Sequence, residues 1–297
     1  MCDSGVHALH TERKGRGQVV KSLIAELSER LRPITESPEH EAAIILEQVY
    51  GRDFRLKLLL GKLDREPTLN ERERLGEMVA RRISGEPLQY IIGEWEFYGL
   101  ELKVGEGVLI PRADTETLVD TALRLVRSTE KPKILDLCSG TGCVALAIKS
   151  KRTDAEVSAL ELYPEAFKIL RENIARYGGV HAVNADALSE DIAANFRDLD
   201  LITANPPYLT SEDMSNLQRE VTKEPATALF GGKDGLDFYR GLSRIWRTVL
   251  RDGGHIAFEI GFGQENDVID ILRSQGYKNI GAERDLTGKV RVVYAEK

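Results

Sequence analysis

The residues best suited to chemistry are Asn205-Pro206-Pro207-Tyr208, which follow directly on the apolar run Leu199 to Ala204. Two prolines remove two backbone donors and stiffen the loop. The Asn205 side-chain oxygen and the Pro206 carbonyl are then two acceptors close together. Such a pair can hold both N–H bonds of a planar amide or amine, so that the nitrogen lone pair points at an electrophile. An amide nitrogen is a poor nucleophile because its lone pair is delocalised. It need not lose a proton before attack. Both hydrogen bonds strengthen as the nitrogen gains positive charge, so they favour the transition state over the ground state. Tyr208 can lie on the planar group and keep water out. The plain alternative is a rigid turn after a strand, which the tetrapeptide alone does not exclude.

A second cluster supplies the place for an electrophile. Ile134-Leu135-Asp136-Leu137-Cys138-Ser139-Gly140-Thr141-Gly142 reads as a buried strand, a glycine turn and a helix start. Gly140 and Gly142 let the backbone approach a ligand closely. The dinucleotide pattern G-x-G-x-x-G would need a third glycine where Ala145 stands. An acid at the strand end, Asp136, sits badly beside pyrophosphate. It suits a ligand with an amino group and a sulfonium, so S-adenosylmethionine is preferred to a nicotinamide cofactor. Glu161, 25 residues on, ends the next strand and can take both ribose hydroxyls. Asp186 ends a third strand and can accept from an adenine amino group. All three acids fall on the carboxyl edge of the sheet, where open α/β folds bind ligands. Each alone is matched by an ordinary strand-end or turn acid.

These groups need a frame, and the apolar periodicities provide one. Residues 1–17 are polar and read as a frayed start. Residues 18–84 read as a small helical bundle. Its three helices are carried by Val19, Val20, Leu23, Ile24 and Leu27, by Ala42, Ala43, Ile45, Leu46 and Val49 after a Ser37-Pro38 start, and by Leu75, Met78, Val79 and Ile83 after an Asn70 cap. Residues 85–108 read as a β-hairpin linker. It consists of Gln89 to Gly93 and Trp95 to Leu100, both β-prone, with Gly99 at a turn. Asp114 is placed as the cap of the next helix. Residues 109–297 alternate strand and helix, with strands over 134–137, 157–160, 180–184, 199–204, 254–260 and 290–295. That alternation predicts an α/β, Rossmann-like domain with a mostly parallel sheet.

Composition narrows the classes. The chain has 297 residues, 42% of them hydrophobic, and a formal net charge of −7. That balance disfavours a dedicated nucleic-acid binder. No apolar run is long enough to span a bilayer, and the start lacks a signal peptide's apolar core. A soluble, cytoplasmic protein, expected to be monomeric, follows. Cys2, Cys138 and Cys143 form no disulfide framework, and His7, His10, His40, His181 and His255 form no metal pattern, so no metal is expected. Cys138 and Cys143 read as small buried residues, with Cys138 in ordinary β dihedrals.

Three further stretches carry a resemblance: Gly85-Glu86-Pro87-Leu88-Gln89-Tyr90-Ile91-Ile92-Gly93, Glu96-Phe97-Tyr98-Gly99-Leu100 and Leu109-Ile110-Pro111-Arg112-Ala113-Asp114-Thr115-Glu116. Together with the Asn-Pro-Pro-Tyr tetrapeptide they resemble the HemK/PrmC family of release factor glutamine methyltransferases. The resemblance runs from about Leu23 to the C-terminus and is strong from Gly85 to Tyr208. It implies methylation of the glutamine in the Gly-Gly-Gln loop of class-one peptide chain release factors. It implies cofactor binding by the turn Cys138, Ser139, Gly140, Thr141, Gly142, and by Glu161 and Asn205. It implies that Asn205 to Tyr208 hold the glutamine and that Phe97 walls its pocket. Family members often carry an aromatic where this chain has Ala187 at the adenine site. Two other classes remain in view: an adenine methyltransferase, which would need to flip its base and to present a basic groove, and a binding module that keeps the cofactor fold without activity.

Overall fold

The computed structural model describes residues 18–297. Cys2, His7, His10 and the stretch expected to fray lie outside the described residues. The chain divides into two compact units, the first ending at Ile92 and the second running from Gly93 to Lys297.

The first unit is helical. It contains α1 (Gln18–Leu31), α2 (Pro38–Tyr50), α3 (Phe54–Leu59), α4 (Leu69–Ile83) and α5 (Leu88–Ile92). The expected stripes meet in one core, with Val20, Leu27, Ile45, Leu46 and Val79 buried together. Three expectations are corrected here. α4 is capped by Thr68, whose hydroxyl accepts from the Glu71 N–H while Glu71 accepts from the Thr68 N–H; Asn70 lies inside the helix. The short helix α3 had no separate signal. Gln89 to Ile92 is helical and not a strand: Leu88 and Ile91, three apart, turn into the bundle core, and that packing outweighs their β-propensity. Arg82 is buried and pairs in two hydrogen bonds with Glu41, at 2.7 and 3.0 Å.

The second unit opens with the hairpin β1 (Glu94–Phe97) and β2 (Leu100–Lys103). Tyr98 and Gly99 both take positive φ in its two-residue turn. There follow α6 (Glu116–Leu125), β3 (Lys133–Leu137), α7 (Cys143–Lys151), β4 (Glu156–Glu161), α8 (Pro164–Tyr177), β5 (Val180–Asn184), α9 (Glu190–Ala193), β6 (Leu199–Ala204), α10 (Ser211–Ser215), α11 (Asp237–Trp246), β7 (Leu250–Glu259), α12 (Glu265–Ser274), β8 (Lys278–Arg284) and β9 (Val290–Glu296). The large sheet has seven strands in the order β5-β4-β3-β6-β7-β9-β8. The first five run parallel, and β9 and β8 close the edge antiparallel. Strand β8, with few fully buried side chains, was not foreseen from its pattern. Side chains alternate between two cores. α6, α7 and α8 cover one face through Leu118, Ala145 and Leu170, while α11 and α12 cover the other through Leu242, Trp246 and Val268.

Asp114 does not cap α6. It lies in a 3-10 turn, Ala113–Thr115, and its carboxylate pairs with Arg291 at 2.9 Å. A charged partner in reach outweighs a cap that the turn geometry does not present. Chain order places β3, β4 and β5 to one side and then starts β6 on the other side of β3. The crevice between β3 and β6 is therefore a topological switch point.

The Arg82–Glu41 pair gives a stability prediction for the helical unit. Glu41→Ala should cost about 3–5 kcal/mol by removing the carboxylate partner of a buried guanidinium, whereas a joint apolar replacement of both residues should recover most of it. Chemical denaturation of the three proteins checks the difference.

Candidate active site

The site is built from the carboxyl ends of four adjacent parallel strands. Asp136 stands one residue before the end of β3 and is 1% exposed. Its Oδ1 accepts from the hydroxyl of Thr203, its register partner on β6, at 2.7 Å, and Oδ2 has no partner. Burial pushes the Asp136 carboxyl up to about 7, against the hydrogen bonds of Thr203 and Ser139. An orphaned oxygen on a buried carboxylate is costly unless a cation meets it. It therefore fits the amino group of an amino-acid ligand.

Past Asp136 the chain turns sharply. Ser139 donates its N–H to the Leu160 carbonyl and its hydroxyl to the Asp136 carbonyl, at 3.0 and 2.8 Å. Gly140 and Gly142 take φ of 53° and 81°. A Cβ on Gly142 would meet Leu170 Cδ1 at 2.5 Å, so glycine is required there for space as well as for φ. Cys138 also has a positive φ, 54°. The expected ordinary β dihedrals are thus corrected: the turn asks for the left-handed region at this position, where glycine costs less. Thr141 is buried and its hydroxyl oxygen is unpartnered. Burial raises the thiols of Cys138 and Cys143, the latter to about 12, so both stay protonated.

Glu161 ends β4. Its two oxygens accept from the N–H groups of Gly140 and Tyr163, each at 2.9 Å, and burial raises its pKa. Those bonds fix the carboxylate in the plane of the turn. Asp186, just past β5, accepts from the Leu188 N–H at 2.8 Å in a local turn. Ala187 is buried, and its carbonyl accepts from the Trp246 indole at 2.7 Å. Glu161, Asp186, Ala187, Cys138 and Gly140 all line one cavity of about 260 Å³. Phe238, on α11, lines it too. The sequence reading passed over Phe238 because a helical aromatic is first read as core, yet its ring supplies the apolar wall that Ala187 does not.

Asn205 follows β6 directly. It lines the large cavity, a second one around Asp136 and Ser139, and a third with Arg112, Tyr208 and Glu259. Its Nδ2 donates to the Thr115 hydroxyl at 3.3 Å, and its buried Oδ1 has no partner. Pro206 and Pro207 are buried behind it. Burial lifts Tyr208 to about 12, so it stays a phenol. The tetrapeptide is clasped from behind. Gln264 donates to the Tyr208 and Gly235 carbonyls at 3.0 and 3.3 Å and accepts from the Gly261 N–H at 2.9 Å. A Cβ on Gly235 would come within 2.3 Å of the Tyr208 carbonyl oxygen, and one on Gly231 within 2.6 Å of that of Pro207.

Phe97 is not brought to these cavities. It is 2% exposed and packs with Leu102, Leu118 and Val119 in the core. An apolar strand residue beside a helix stripe finds its free energy there. Glu259, at the end of β7, was missed. It is 2% exposed with Oε2 unpartnered, and burial pushes it up to about 7 against a hydrogen bond from Thr115 and the charge of Arg291. The rule that marked Asp136 and Glu161, an acid ending a parallel strand, would have found it.

Two predictions follow from this geometry. Because the folded pKa of Asp136 lies above its unfolded value near 4, its stabilising contribution is complete below about pH 4 and is lost as pH rises through about 7. Asp136→Asn should therefore raise the melting temperature of the ligand-free protein by several degrees at about pH 8, the gain closing toward about pH 4. Calorimetry across that range checks it, and a gain independent of pH would contradict it. Gly235→Ala, at φ 74° and against the Tyr208 carbonyl, should lower methyl transfer by at least about tenfold by shifting the tetrapeptide. Turnover measured beside circular dichroism separates that shift from unfolding.

Comparison with known proteins gives the family. Residues 22–93 match the PrmC N-terminal domain family, and residues 115–233 match the methyltransferase small domain family. The catalytic domain of hMettl16 in complex with an RNA hairpin superposes with a TM-score of 0.56 at 14% identity, over 86% of this chain and 90% of that one, which speaks for the fold alone. The release factor glutamine methyltransferase of Clostridium botulinum is 37% identical over 86% of this chain and 91% of its own. That of Vibrio cholerae is 38% identical over 88% and 91%. With such identity over nearly the whole length of both relatives, the chain belongs to the release factor glutamine methyltransferase family.

Proposed function

We propose that the protein transfers the methyl group of S-adenosylmethionine to the side-chain amide nitrogen of the glutamine in the Gly-Gly-Gln motif of class-one peptide chain release factors. The observation that carries this reading is Asn205. Asn205 lines both the 260 Å³ cavity and the smaller one lined by Tyr208, and its buried Oδ1 has no partner.

When bound, the cofactor supplies a methyl group already activated on a sulfonium. Asp136 and the 138–142 turn hold its amino-acid end, Glu161 takes its ribose hydroxyls, and Asp186, Ala187 and Phe238 enclose its adenine. Asn205 Oδ1 and the Pro206 carbonyl accept the two N–H bonds of the glutamine amide. Tyr208 covers the amide plane and excludes water. Positive charge develops on the nitrogen during attack, and the two fixed oxygens meet it without reorganising. Positioning of this kind is worth on the order of 7–11 kcal/mol at best. The buried prolines and the Gln264 clasp keep the oxygens still, which is the condition for that gain.

An adenine acceptor would present a similar planar N–H₂ group. The curated relatives named above act on release factors, and the net charge of −7 suits a protein acceptor better than a polynucleotide one.

The test is transfer of labelled methyl to a release factor, to its Gln→Ala variant at the Gly-Gly-Gln motif, and to duplex DNA. Label on the wild-type factor alone is expected; label on DNA would overturn the assignment. Asn205→Ala should lower turnover by at least about a hundredfold with cofactor affinity changed only a few fold. Asp136→Asn and Glu161→Gln should do the reverse, weakening cofactor binding by about tenfold or more in titration calorimetry.

A further inference from the structure

Asn205 is useful as an acceptor only if its carboxamide points one way, with the oxygen toward the cavity and the nitrogen toward the protein. Oδ1 and Nδ2 are nearly equal in size, so shape does not decide between them. Hydrogen bonding does.

Behind Asn205 lies a short relay. Nδ2 donates to the Thr115 hydroxyl at 3.3 Å. Thr115 is 2% exposed, and its hydroxyl favours the ionised form of Glu259, whose buried Oε2 has no hydrogen-bond partner. Asn205 and Glu259 also line one cavity, and the Asn205 amide favours the ionised carboxylate slightly. Glu259 reaches this place by register: Ala204 pairs with Phe258 on parallel neighbours, so the next residues, Asn205 and Glu259, leave the sheet side by side. The charged groups around Glu259 are Arg291, which favours its ionised form, and Asp114, which opposes it and is itself paired with Arg291 at 2.9 Å.

In the ionised form, which Thr115 and Arg291 favour, the Glu259 carboxylate only accepts. The negative field of Glu259 turns the Thr115 proton toward it, which leaves the Thr115 oxygen to accept from Asn205. A flipped Asn205 would set its oxygen against the Thr115 oxygen and the Glu259 carboxylate with no proton between them. Buried acceptors so opposed cost more than the single bond lost. We propose that Glu259, acting through Thr115, is a positioning residue that fixes the sense of the Asn205 carboxamide and so keeps Oδ1 turned to the acceptor amide. This rests on the reading of Asn205 as the acceptor clamp.

The experiment is steady-state methylation of a release factor by the full chain, with cofactor affinity measured separately by calorimetry. Thr115→Val and Glu259→Gln are each expected to lower kcat by about 10- to 100-fold, with KM for the release factor and Kd for the cofactor within about threefold of wild type. Thr115→Ser, which restores the hydroxyl, should recover most of the rate. Added to Asn205→Ala, measured by single turnover, Glu259→Gln should cause no further loss, because it acts only through Asn205. A purely structural role would lower the rate again in that background, and this result would overturn the inference. So would turnover within about twofold of wild type for both Thr115→Val and Glu259→Gln when Asn205→Ala is crippled. Should Glu259→Gln not fold, Thr115→Val decides alone. Wild-type turnover by Asn205→Ala would instead remove the acceptor clamp, and the inference with it.

Discussion

One hydrogen bond joins the two halves of this site. The Thr203 hydroxyl donates to Asp136 across the β3–β6 pair at 2.7 Å. It ties the strand that ends in the glycine turn, proposed to hold the cofactor, to the strand that ends in the Asn-Pro-Pro-Tyr loop, proposed to hold the acceptor. Two residues beyond Thr203, Asn205 leaves the sheet at the switch point. A methyl donor and a planar nitrogen must meet in line within a few tenths of an ångström for positioning to yield its full rate. A packed parallel sheet gives that tolerance, because its strand ends are fixed by register and by two cores.

Rigidity at the acceptor loop is made in layers. Two prolines remove backbone freedom, Gln264 binds the Tyr208 carbonyl, and Gly231, Gly235 and Gly261 let other backbone lie against the loop closer than any side chain would allow. Behind these stand Thr115 and Glu259. The site therefore keeps several buried polar atoms without partners: Asp136 Oδ2, Thr141 Oγ1, Asn205 Oδ1 and Glu259 Oε2. Unpaired acceptors of this kind lower the stability of the ligand-free fold. On the proposed reading they also pre-form acceptors for a cationic cofactor and an N–H-rich substrate group.

Much of this was legible along the chain. The tetrapeptide, the glycine turn and three strand-end acids are local patterns, and each follows from the chemistry of a few consecutive residues. The parallel sheet was legible because buried strands are continuous apolar runs, as in Leu199 to Ala204. The edge strand β8 was not, since its half-exposed residues give no such run. Gln89 to Ile92 misled because short apolar segments do not separate helix from strand by periodicity. Asp114 misled because a cap and an ion pair use the same carboxylate.

By itself, the sequence determined the order of elements, the α/β class and the residues with the right chemistry for methyl transfer to a planar nitrogen. The tertiary structure decided which of them face one another. Phe97 went to the core and Phe238 came to the cofactor cavity, because burial is settled by packing between distant segments. Cys138 took a left-handed backbone because the turn it begins must leave room for the ligand. Thr115 and Glu259 reached Asn205 from 90 residues before it and 54 after it, one from a helical turn and one from the neighbouring strand. No local pattern carries such a meeting, because only strand order and register bring the three residues together.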